Sequence, residues 1–565
     1  MLPVLPKVTK LQQKNISSFG GIDRRNNAKE NSFYSLCGVD NLDGSVLETG
    51  NDFLCVQAGF NIESNDIIYI ENEEGLRDAY YLGEGGFYKN GELLPFEVCK
   101  TSADLTWMNS YVKEMTFDDN GQCIWSGDYS DTKLIHYKDG IFAIPQMLYT
   151  DGKKTYTWDN IFAMSIKSDH VTVSGGVLKI KTFTSAVGKV LWGRMKSGDE
   201  IQLYINGKKI SGTAKFRGYE ESYGELIVQK EDGEYHSKTS LGIVSDNTLV
   251  FQLKNIPKFV DAVVVYNRMW GVSGNRVYAS GLASPRSFGA CDGTEADAWW
   301  ADTEDGEGFI AIASLNGRVV AFKKNSTYEI YGTVNPYTIK DVSRSVGCVC
   351  RESVKEVNGV LFLLTGEGMS VYGGSKFINI NEALQSGETM VCGIGKGSKY
   401  YALIKGSVYK YDYYTGLWTN VTKMDLKGLV DIDFDVFGLT QDNCLIQFTG
   451  DKKEFLTYGK NVRQEWVVES TSVGAGDFYA EGINKLEMRF ETAGESEFAV
   501  EIARDGREFE SCGKIKTGVG WQICTVPIGF VPCSTFRYRI RGTGKVRLRL
   551  ISYCYRKGGR GDKYE

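Results

Sequence analysis

Arginine recurs at every second position near the C-terminus, and this spacing is the most unusual chemical feature of the sequence. The five arginines lie on both sides of the turn Gly542-Thr543-Gly544: Arg537, Arg539, Arg541, Arg547 and Arg549. Alternate residues of a strand point to one face of a sheet, so the pattern predicts a hairpin with five like charges on one face. Like charges repel there unless acidic groups lie against them.

Two kinds of acidic surface fit this arginine pattern. The first is formed by glutamates of neighbouring predicted strands: Glu487, Glu491, Glu497 and Glu501. The second is an acidic surface on a neighbouring subunit, or nucleic acid that passes nearby. The sequence leaves open whether the segment from Arg537 to Arg549 contacts a partner.

Residues with catalytic or metal-binding spacing are not found. The three histidines, His136, His170 and His236, stand in no metal or triad spacing with one another, and each is interpreted as a strand or turn residue. The 71 acidic residues permit a glycosidase pair of carboxylates, but such a pair cannot be located from sequence. We therefore predict no catalytic, cofactor-binding or metal-binding residues and no enzymatic activity.

Two short motifs resemble known sites. Gly393-Ile394-Gly395-Lys396-Gly397-Ser398 is glycine-rich but lacks the spacing of a phosphate loop and precedes a predicted strand, so it is interpreted as a hairpin turn. The triplet Arg560-Gly561-Asp562 lies in a basic tail, and no function is assigned to it.

Charge and cysteine content restrict the class of protein further. The net charge of -6 provides no general basic surface for nucleic acid or anionic lipid. The 13 cysteines lack C-x-x-C zinc spacing, so most are interpreted as reduced core residues of a protein made in the cytosol. No segment has the apolar length of a membrane span, and the start is not a secretory signal.

The elements that position these residues are predicted to be strands. The 565 residues include 65 glycines, only 9 prolines and 12% aromatic residues, a balance typical of short strands joined by tight turns. Apolar and polar residues alternate with period 2 in short segments along the chain. Asn-Gly pairs such as Asn316-Gly317 and Asn358-Gly359 separate these segments. The fold class is therefore all-β.

The spacing of the turns predicts the architecture. Asn-Gly and equivalent turns recur at about 40 residues, the length of a four-stranded β-propeller blade. The predicted organisation is an extended N-terminal arm at 1–30, a β-propeller first part at 31–181, an inserted small β-domain at 182–257, a β-propeller second part at 258–462, and a C-terminal β-sandwich with a basic tail at 463–565.

Three motifs carry a resemblance to a known family. They are Asn267-Arg268-Met269-Trp270, Asn275-Arg276-Val277-Tyr278-Ala279-Ser280 and Ser284-Pro285-Arg286-Ser287-Phe288. Together they resemble the N-R-[LM]-W, N-x-[VI]-Y-x-S and P-x-x-F pattern of tailed-bacteriophage virion β-propellers. The similarity is best over residues 262–375, with weaker support at 16–50 around Phe19-Gly20-Gly21-Ile22-Asp23.

The resemblance implies a non-enzymatic structural protein of the phage neck or tail, of the tail nozzle or packaged-DNA stabilisation type. It implies a homo-oligomeric ring along the DNA path and contacts with other head-tail connector or tail proteins, and it allows contact with passing DNA. The implied location is the virion after synthesis in the host cytoplasm, with no cofactor and no membrane insertion. The alternative is a tail-tip adsorption module that binds glycan receptors, and a propeller glycosidase is the third hypothesis.

Overall fold

The computed structural model confirms the all-β prediction. It describes residues 12–41, 43–49, 52–56, 62–96, 115–117, 123–138, 140–158, 162–181, 192, 197–220, 223–230, 233–253, 257–288, 294–385, 390–462, 464–474, 481–529, 531 and 533–557. The chain divides into two compact units. The first unit comprises Met1–Gln57, Glu367–Tyr372 and Phe377–Glu565, and the second comprises Ala58–Gly366 and Gly373–Lys376.

The described strands are numbered in chain order. The amino-terminal strands of the first unit are β1 (Gln12–Ile16), β2 (Phe33–Cys37), β3 (Val39–Asn41), β4 (Leu47–Thr49) and β5 (Leu54–Val56). The strands of the second unit before the inserted domain are β6 (Ile68–Glu71), β7 (Arg77–Gly83), β8 (Gly86–Lys89), β9 (Glu92–Leu93), β10 (Met115–Phe117), β11 (Cys123–Trp125), β12 (Lys133–Tyr137), β13 (Gly140–Ile144), β14 (Leu148–Thr150) and β15 (Thr155–Thr157).

The second unit continues with the inserted domain. Its strands are β16 (Phe162–Lys167), β17 (Val171–Ser174), β18 (Val177–Lys181), β19 (Glu200–Ile205), β20 (Lys208–Lys209), β21 (Thr213–Glu220), β22 (Tyr223–Lys230), β23 (Gly233–Glu234) and β24 (Asp246–Leu253). The strands that follow are β25 (Asp261–Val265), β26 (Arg268–Ser273), β27 (Arg276–Ala279), β28 (Trp299–Asp302), β29 (Phe309–Leu315), β30 (Arg318–Lys323), β31 (Thr327–Tyr331), β32 (Thr338–Ser343), β33 (Lys355–Val357) and β34 (Val360–Thr365).

The remaining strands belong to the first unit. They are β35 (Gly368–Tyr372), β36 (Phe377–Asn379), β37 (Met390–Lys396), β38 (Lys399–Ile404), β39 (Ser407–Asp412), β40 (Leu417–Thr422), β41 (Leu426–Ile432), β42 (Asp435–Thr440), β43 (Leu445–Gln447), β44 (Trp466–Ser470), β45 (Glu481–Thr492), β46 (Ser496–Arg504), β47 (Glu510–Thr517), β48 (Gly520–Pro527), β49 (Phe536–Thr543) and β50 (Val546–Lys557). Short 3-10 turns lie at Ser168–His170, Thr239–Leu241 and Arg351–Ser353.

The second unit contains a series of four-stranded antiparallel sheets, each of the kind that forms a propeller blade. Their strand orders are β6-β7-β8-β9, β12-β13-β14-β15, β25-β26-β27-β28 and β29-β30-β31-β32. Asn316 and Gly317 join β29 to β30 with φ angles of 50° and 78°. Both angles are positive, which a two-residue hairpin of this type requires and which Asn and Gly tolerate best.

Successive sheets of the second unit pack face to face through apolar clusters. Phe142 and Trp158 of one sheet lie with Phe259 and Met269 of the next in one buried cluster. The sheet of β25–β28 then packs on that of β29–β32 through Trp270, whose ring centroid is 4.7 Å from that of Tyr337. This serial packing of blade-sized sheets is the β-propeller arrangement that the repeat predicts.

The inserted domain forms a nine-stranded sheet in the second unit. Its order is β16-β24-β19-β21-β22-β18-β17, with β20 beside β19 and β23 beside β22. Strand β16 joins this sheet because Phe162 pairs with Phe251 and Lys167 with Asp246. The sheet thus begins at Phe162 rather than at the predicted boundary of residue 182, because the alternation of β16–β18 is the same in a blade and in the insert.

The first unit holds two blade-type sheets. In one, β37-β38-β39-β40 form a meander, and the turn at Gly397 joins β37 to β38 as predicted for the glycine-rich motif. In the other, β41-β42-β43 are completed by β5, and Ile446 pairs with Cys55. This sheet therefore joins chain segments almost 400 positions apart (446 − 55 = 391).

The sandwich of the first unit uses strands from both ends of the chain. One sheet has the order β3-β4-β50-β45-β48, with β1 also paired to β50. The other continues from the blade as β40-β2-β44-β49-β46-β47. The sandwich is thus not built from residues 463–565 alone, because β1–β4 of the amino-terminal region supply strands to both sheets.

Candidate functional site

The five arginines near the C-terminus lie in two different sheets, which corrects the prediction of a single charged face. Strand β49, with Arg537, Arg539 and Arg541, pairs with β44 and β46. Strand β50, with Arg547 and Arg549, pairs with β4 and β45 in the opposite sheet. The chain crosses between the sheets at the glycine turn, so the arginines form two groups that do not repel as one row.

The β49 group is neutralised by two buried glutamates. Glu469 accepts hydrogen bonds from Nη1 of Arg537 at 3.0 Å and from Nε of Arg539 at 2.9 Å. Glu501 lies 2.8 Å from Nη2 of Arg541 and 3.5 Å from Nη1 of Arg539. The guanidinium of Arg539 also lies 3.6 Å from the ring centroid of Phe509, a cation–π contact.

The β50 group has other partners. Arg547 Nε donates to Glu48 at 3.2 Å, and the guanidinium of Arg549 lies 5.5 Å from the ring centroid of Trp521. Of the four glutamates predicted to neutralise the arginines, Glu501 forms such an ion pair. Glu487 instead lies 3.7 Å from Lys485 and from Arg489, and Glu497 lies 3.7 Å from Lys516. Sequence alternation did not identify Glu469 or Glu48, since cross-strand partners depend on sheet order.

Strand β48 forms an exposed edge with an apolar outer face. Among the described strands only β45 pairs with it. Trp521 and Ile523 are 65% and 66% exposed, whereas Val526 on the other face is buried. A row of unpaired backbone groups beside exposed apolar side chains is a template for pairing with another chain.

Arg268 and Trp270, which belong to the motif Asn267-Arg268-Met269-Trp270, have structural roles. The side chain of Arg268 is buried and donates to the carbonyl oxygens of Ser280 and Asp297, both at 2.6 Å, and to that of Glu295. Trp270 Nε1 donates to the carbonyl oxygen of Val265 at 3.3 Å. These contacts of Arg268 and Trp270 therefore stabilise the sheet of β25–β28 and the segments that flank it.

A charged cluster surrounds Arg351 in the second unit. Arg351 donates to Asp131 at 2.6 Å, to the carbonyl oxygen of Val260 at 2.7 Å, and to Glu352. Partial desolvation and the neighbouring Glu352 carboxylate raise the pKa of Asp131 to about 6, although 62% of the Asp131 side chain is exposed. Burial also opposes the ionisation of Glu352, but the attraction of Arg351 outweighs it and lowers the pKa of that carboxyl. One guanidinium thus holds both carboxylates, and it links the 3-10 turn to the segments that immediately precede β12 and β25.

The histidines and cysteines are distributed over separate elements. His136 is exposed on β12, His170 ends a 3-10 turn, and His236 is exposed after β23. Within the described part of the chain, no group of three or more His, Cys, Asp or Glu side chains has metal-binding geometry. Burial raises the pKa of Cys348 to about 12, so this thiol stays protonated at neutral pH.

Two segments discussed in the sequence analysis lie partly or wholly outside the described residues. The triplet Arg560-Gly561-Asp562 lies there, as do residues 1–11 of the predicted arm. In the ranges that the structure does describe, no helix has the length and apolar character needed to span a membrane.

The known proteins that resemble this chain do so in structure, and at low scores. No family model matches the chain, and no curated protein matches it in sequence. Among solved structures, the WD40 domain of Neurospora crassa Pan2 is 10% identical, with a TM-score of 0.25 over 49% of this chain and 78% of that one. The N-terminal domain of Nup159 is 12% identical, with a TM-score of 0.21 over 40% and 69% of the two chains.

An enzyme also appears among the solved structures. An exo-beta-1,3-galactanase from Phanerochaete chrysosporium is 8% identical, with a TM-score of 0.17 over 77% of this chain and 98% of that one. At such scores these likenesses carry no argument about the activity or partners of this chain.

Proposed function

We propose that this protein is a structural component of a tailed-bacteriophage virion, where it forms a homo-oligomeric ring in the neck or tail along the DNA path. The phage assignment rests on the resemblance of residues 262–375 to virion β-propellers. The structural role rests on one observation, the exposed apolar edge strand β48 in the first unit. No catalytic role is part of the proposal.

The chemistry of β48 favours contact with other protein. Burial of a side chain the size of Ile523 contributes roughly 1.5–3 kcal/mol, and the larger Trp521 contributes at least as much. The unpaired backbone groups of the strand add hydrogen bonds when a second strand aligns with them. A virion component that assembles from many copies uses such an edge, whereas a monomeric protein protects it.

The charge of the chain is compatible with a position near DNA. A net charge of -6 disfavours non-specific binding to phosphates, and the arginines of β49 are already paired with Glu469 and Glu501. DNA can therefore move past such a subunit without strong retention.

Cryo-electron microscopy of the purified phage particle tests the proposal. The expected result is a ring of this chain on the particle axis at the neck or the adjoining tail. Density at the distal tip would favour the adsorption module instead. Absence of the chain from the particle, or a single isolated copy in it, would contradict the proposal.

A further inference from the structure

A cleft of about 460 Å³ opens in the first unit beside strand β49. Its volume lies within the range of roughly 300–1,000 Å³ that is typical of small-molecule sites. Its walls come from the chain segment that precedes β2, from Tyr34 of β2, from Arg537 of β49, and from residues that follow β44. The cleft is separate from the edge strand β48, which contributes no lining residue.

The walls of this cleft carry more positive than negative charge. Three arginines line it, Arg24, Arg25 and Arg537, and the one lining carboxylate is Asp23. Both oxygens of Asp23 are taken by Arg25, whose Nε and Nη2 each donate to the carboxylate at 2.8 Å. The charges of this pair cancel, so Arg24 and Arg537 remain as the cations of the wall.

Arg24 is a half-buried cation without a carboxylate partner. Its nitrogens donate to the carbonyl oxygens of Tyr34 at 3.3 Å and Leu384 at 3.2 Å, and to the hydroxyl of Tyr409 at 3.3 Å. Within the described part of the chain, no carboxylate lies at ion-pair distance from it. A guanidinium has five N–H donors, so these three neutral contacts hold Arg24 in place and leave donors for a ligand.

Arg537 is a second cation whose charge is only partly compensated. It donates to Glu469 at 3.0 Å, but Glu469 also accepts a hydrogen bond from Arg539 and does not line the cleft. Tyr34 connects this arginine to Arg24, since the two guanidiniums lie 5.4 Å and 5.6 Å from the centroid of its ring. Tyr34 is 43% exposed at the cleft, and these cation–π contacts position both arginines before a ligand binds.

The other acidic groups nearby are exposed. Glu382 lies 3.6 Å from Arg25, and 71% of its side chain is exposed. Asp505 is exposed and accepts hydrogen bonds from the backbone N–H groups of Ser534 and Thr535 at 2.7 Å and 2.9 Å. Neither carboxylate lines the cleft, and solvent screens both. The positive charge inside the cleft therefore remains in excess.

We propose that the cleft binds the phosphate group of a small phosphorylated molecule, with Arg24 donating to the phosphoryl oxygens and Arg537 adding positive charge. A guanidinium matches the geometry of phosphate oxygens. A phosphate monoester carries about -1.5 to -2 charge at pH 7, which suits two cations better than a single carboxylate does. A DNA phosphate has one charge, and a duplex is too wide to enter a cleft of this volume. This inference goes beyond the proposed structural role and does not depend on where the protein lies in the particle.

Isothermal titration calorimetry of the full-length protein with inorganic phosphate and with glucose 6-phosphate tests this proposal. Both probes are expected to bind at pH 7 and to bind more weakly at pH 5, because a phosphate monoester loses its second charge below a pKa of about 6. Arg24→Met is expected to weaken binding about tenfold, as it removes charge-assisted hydrogen bonds. Arg24→Lys should weaken it less, since lysine keeps the charge but not the planar fork.

Arg489→Met is the matched control, because Arg489 is 52% exposed on β45 of the same unit and does not line the cleft. Its affinity for both probes should equal that of the wild type. Circular dichroism establishes which variants fold, and Arg24→Lys carries the test if Arg24→Met does not fold.

Four results would overturn the proposal. They are no binding of either probe, unchanged affinity in the folded Arg24 variants, an equal loss in Arg489→Met, and tighter binding of a duplex DNA oligonucleotide than of glucose 6-phosphate. Because all measurements are made on isolated protein, their failure leaves the virion proposal standing.

Discussion

Glu469 accepts a 2.9 Å hydrogen bond from Nε of Arg539, a residue 70 positions further along the chain. The carboxylate is buried, and it also accepts a hydrogen bond from Arg537. It thus compensates two arginines on one strand and fixes β49 beside β44.

Glu469→Gln is expected to destabilise the first unit by about 1–3 kcal/mol, because two charge-assisted hydrogen bonds are weakened at a buried position. Urea unfolding followed by tryptophan fluorescence measures the change. Glu497→Gln is the control, since Glu497 lies 3.7 Å from a Lys516 side chain that is 83% exposed. Its effect should stay within about 0.5 kcal/mol. Equal losses in the free energy of unfolding for the two variants would show that the hydrogen bonds of Glu469 contribute no more than an exposed ion pair.

Arg268→Lys is expected to cost about 2–4 kcal/mol in the second unit. A lysine cannot bond the three carbonyl oxygens that the guanidinium reaches, and buried carbonyls without partners are costly. Thermal unfolding and limited proteolysis measure the loss. Arg276→Lys is the matched control in the same sheet, because its partner Asp302 is half exposed and surface pairs contribute about 1 kcal/mol or less. Unaltered proteolysis of the Arg268 variant would contradict the prediction.

The stability of the second unit should fall in strong acid because of Asp305. Burial alone would raise the pKa of Asp305, but hydrogen bonds from Lys323, Ser326 and Tyr328 outweigh it and lower that pKa from 3.8 to about 2. The folded state therefore binds fewer protons than the unfolded state between these values. Stability is fully present above the unfolded pKa and is lost as the pH falls toward 2.

Asp305→Asn removes this pH dependence. It should lower the free energy of unfolding at pH 7 by about 1 kcal/mol, because solvent screens a carboxylate that is 33% exposed. The difference from wild type should shrink as the pH falls from 4 to 2. Urea unfolding at a series of pH values measures both effects. A difference that stays constant over that interval would exclude Asp305 as the cause.

Trp521→Glu in strand β48 is expected to reduce the oligomer to smaller species, because a charge replaces an apolar side chain on the proposed contact surface. Sedimentation velocity at matched protein concentrations gives the mass. Trp300→Glu is the matched control, as Trp300 is 42% exposed on β28 of the other unit. An oligomer that survives Trp521→Glu but not Trp300→Glu would place the contact elsewhere.

Local features of the fold were predictable from the sequence because they depend on neighbouring residues. The turns at Asn316-Gly317 and Asn358-Gly359 lie where the sequence predicts them, and all four residues have the positive φ angles that their types favour. The all-β class followed from the same alternation and turn signals. The sheet to which β16 belongs was not predictable, because the alternation of a strand is the same in every sheet.

The sequence by itself determined which residues alternate along each strand, where the chain turns, and that five arginines share a spacing of two. Only the tertiary structure decided that these arginines divide between two sheets and that their partners are Glu469, Glu501 and Glu48. The physical reason is that alternation fixes only the side of a strand to which a residue points. Which strand lies opposite is decided by packing of segments as distant as Glu48 and Arg547, 499 positions apart.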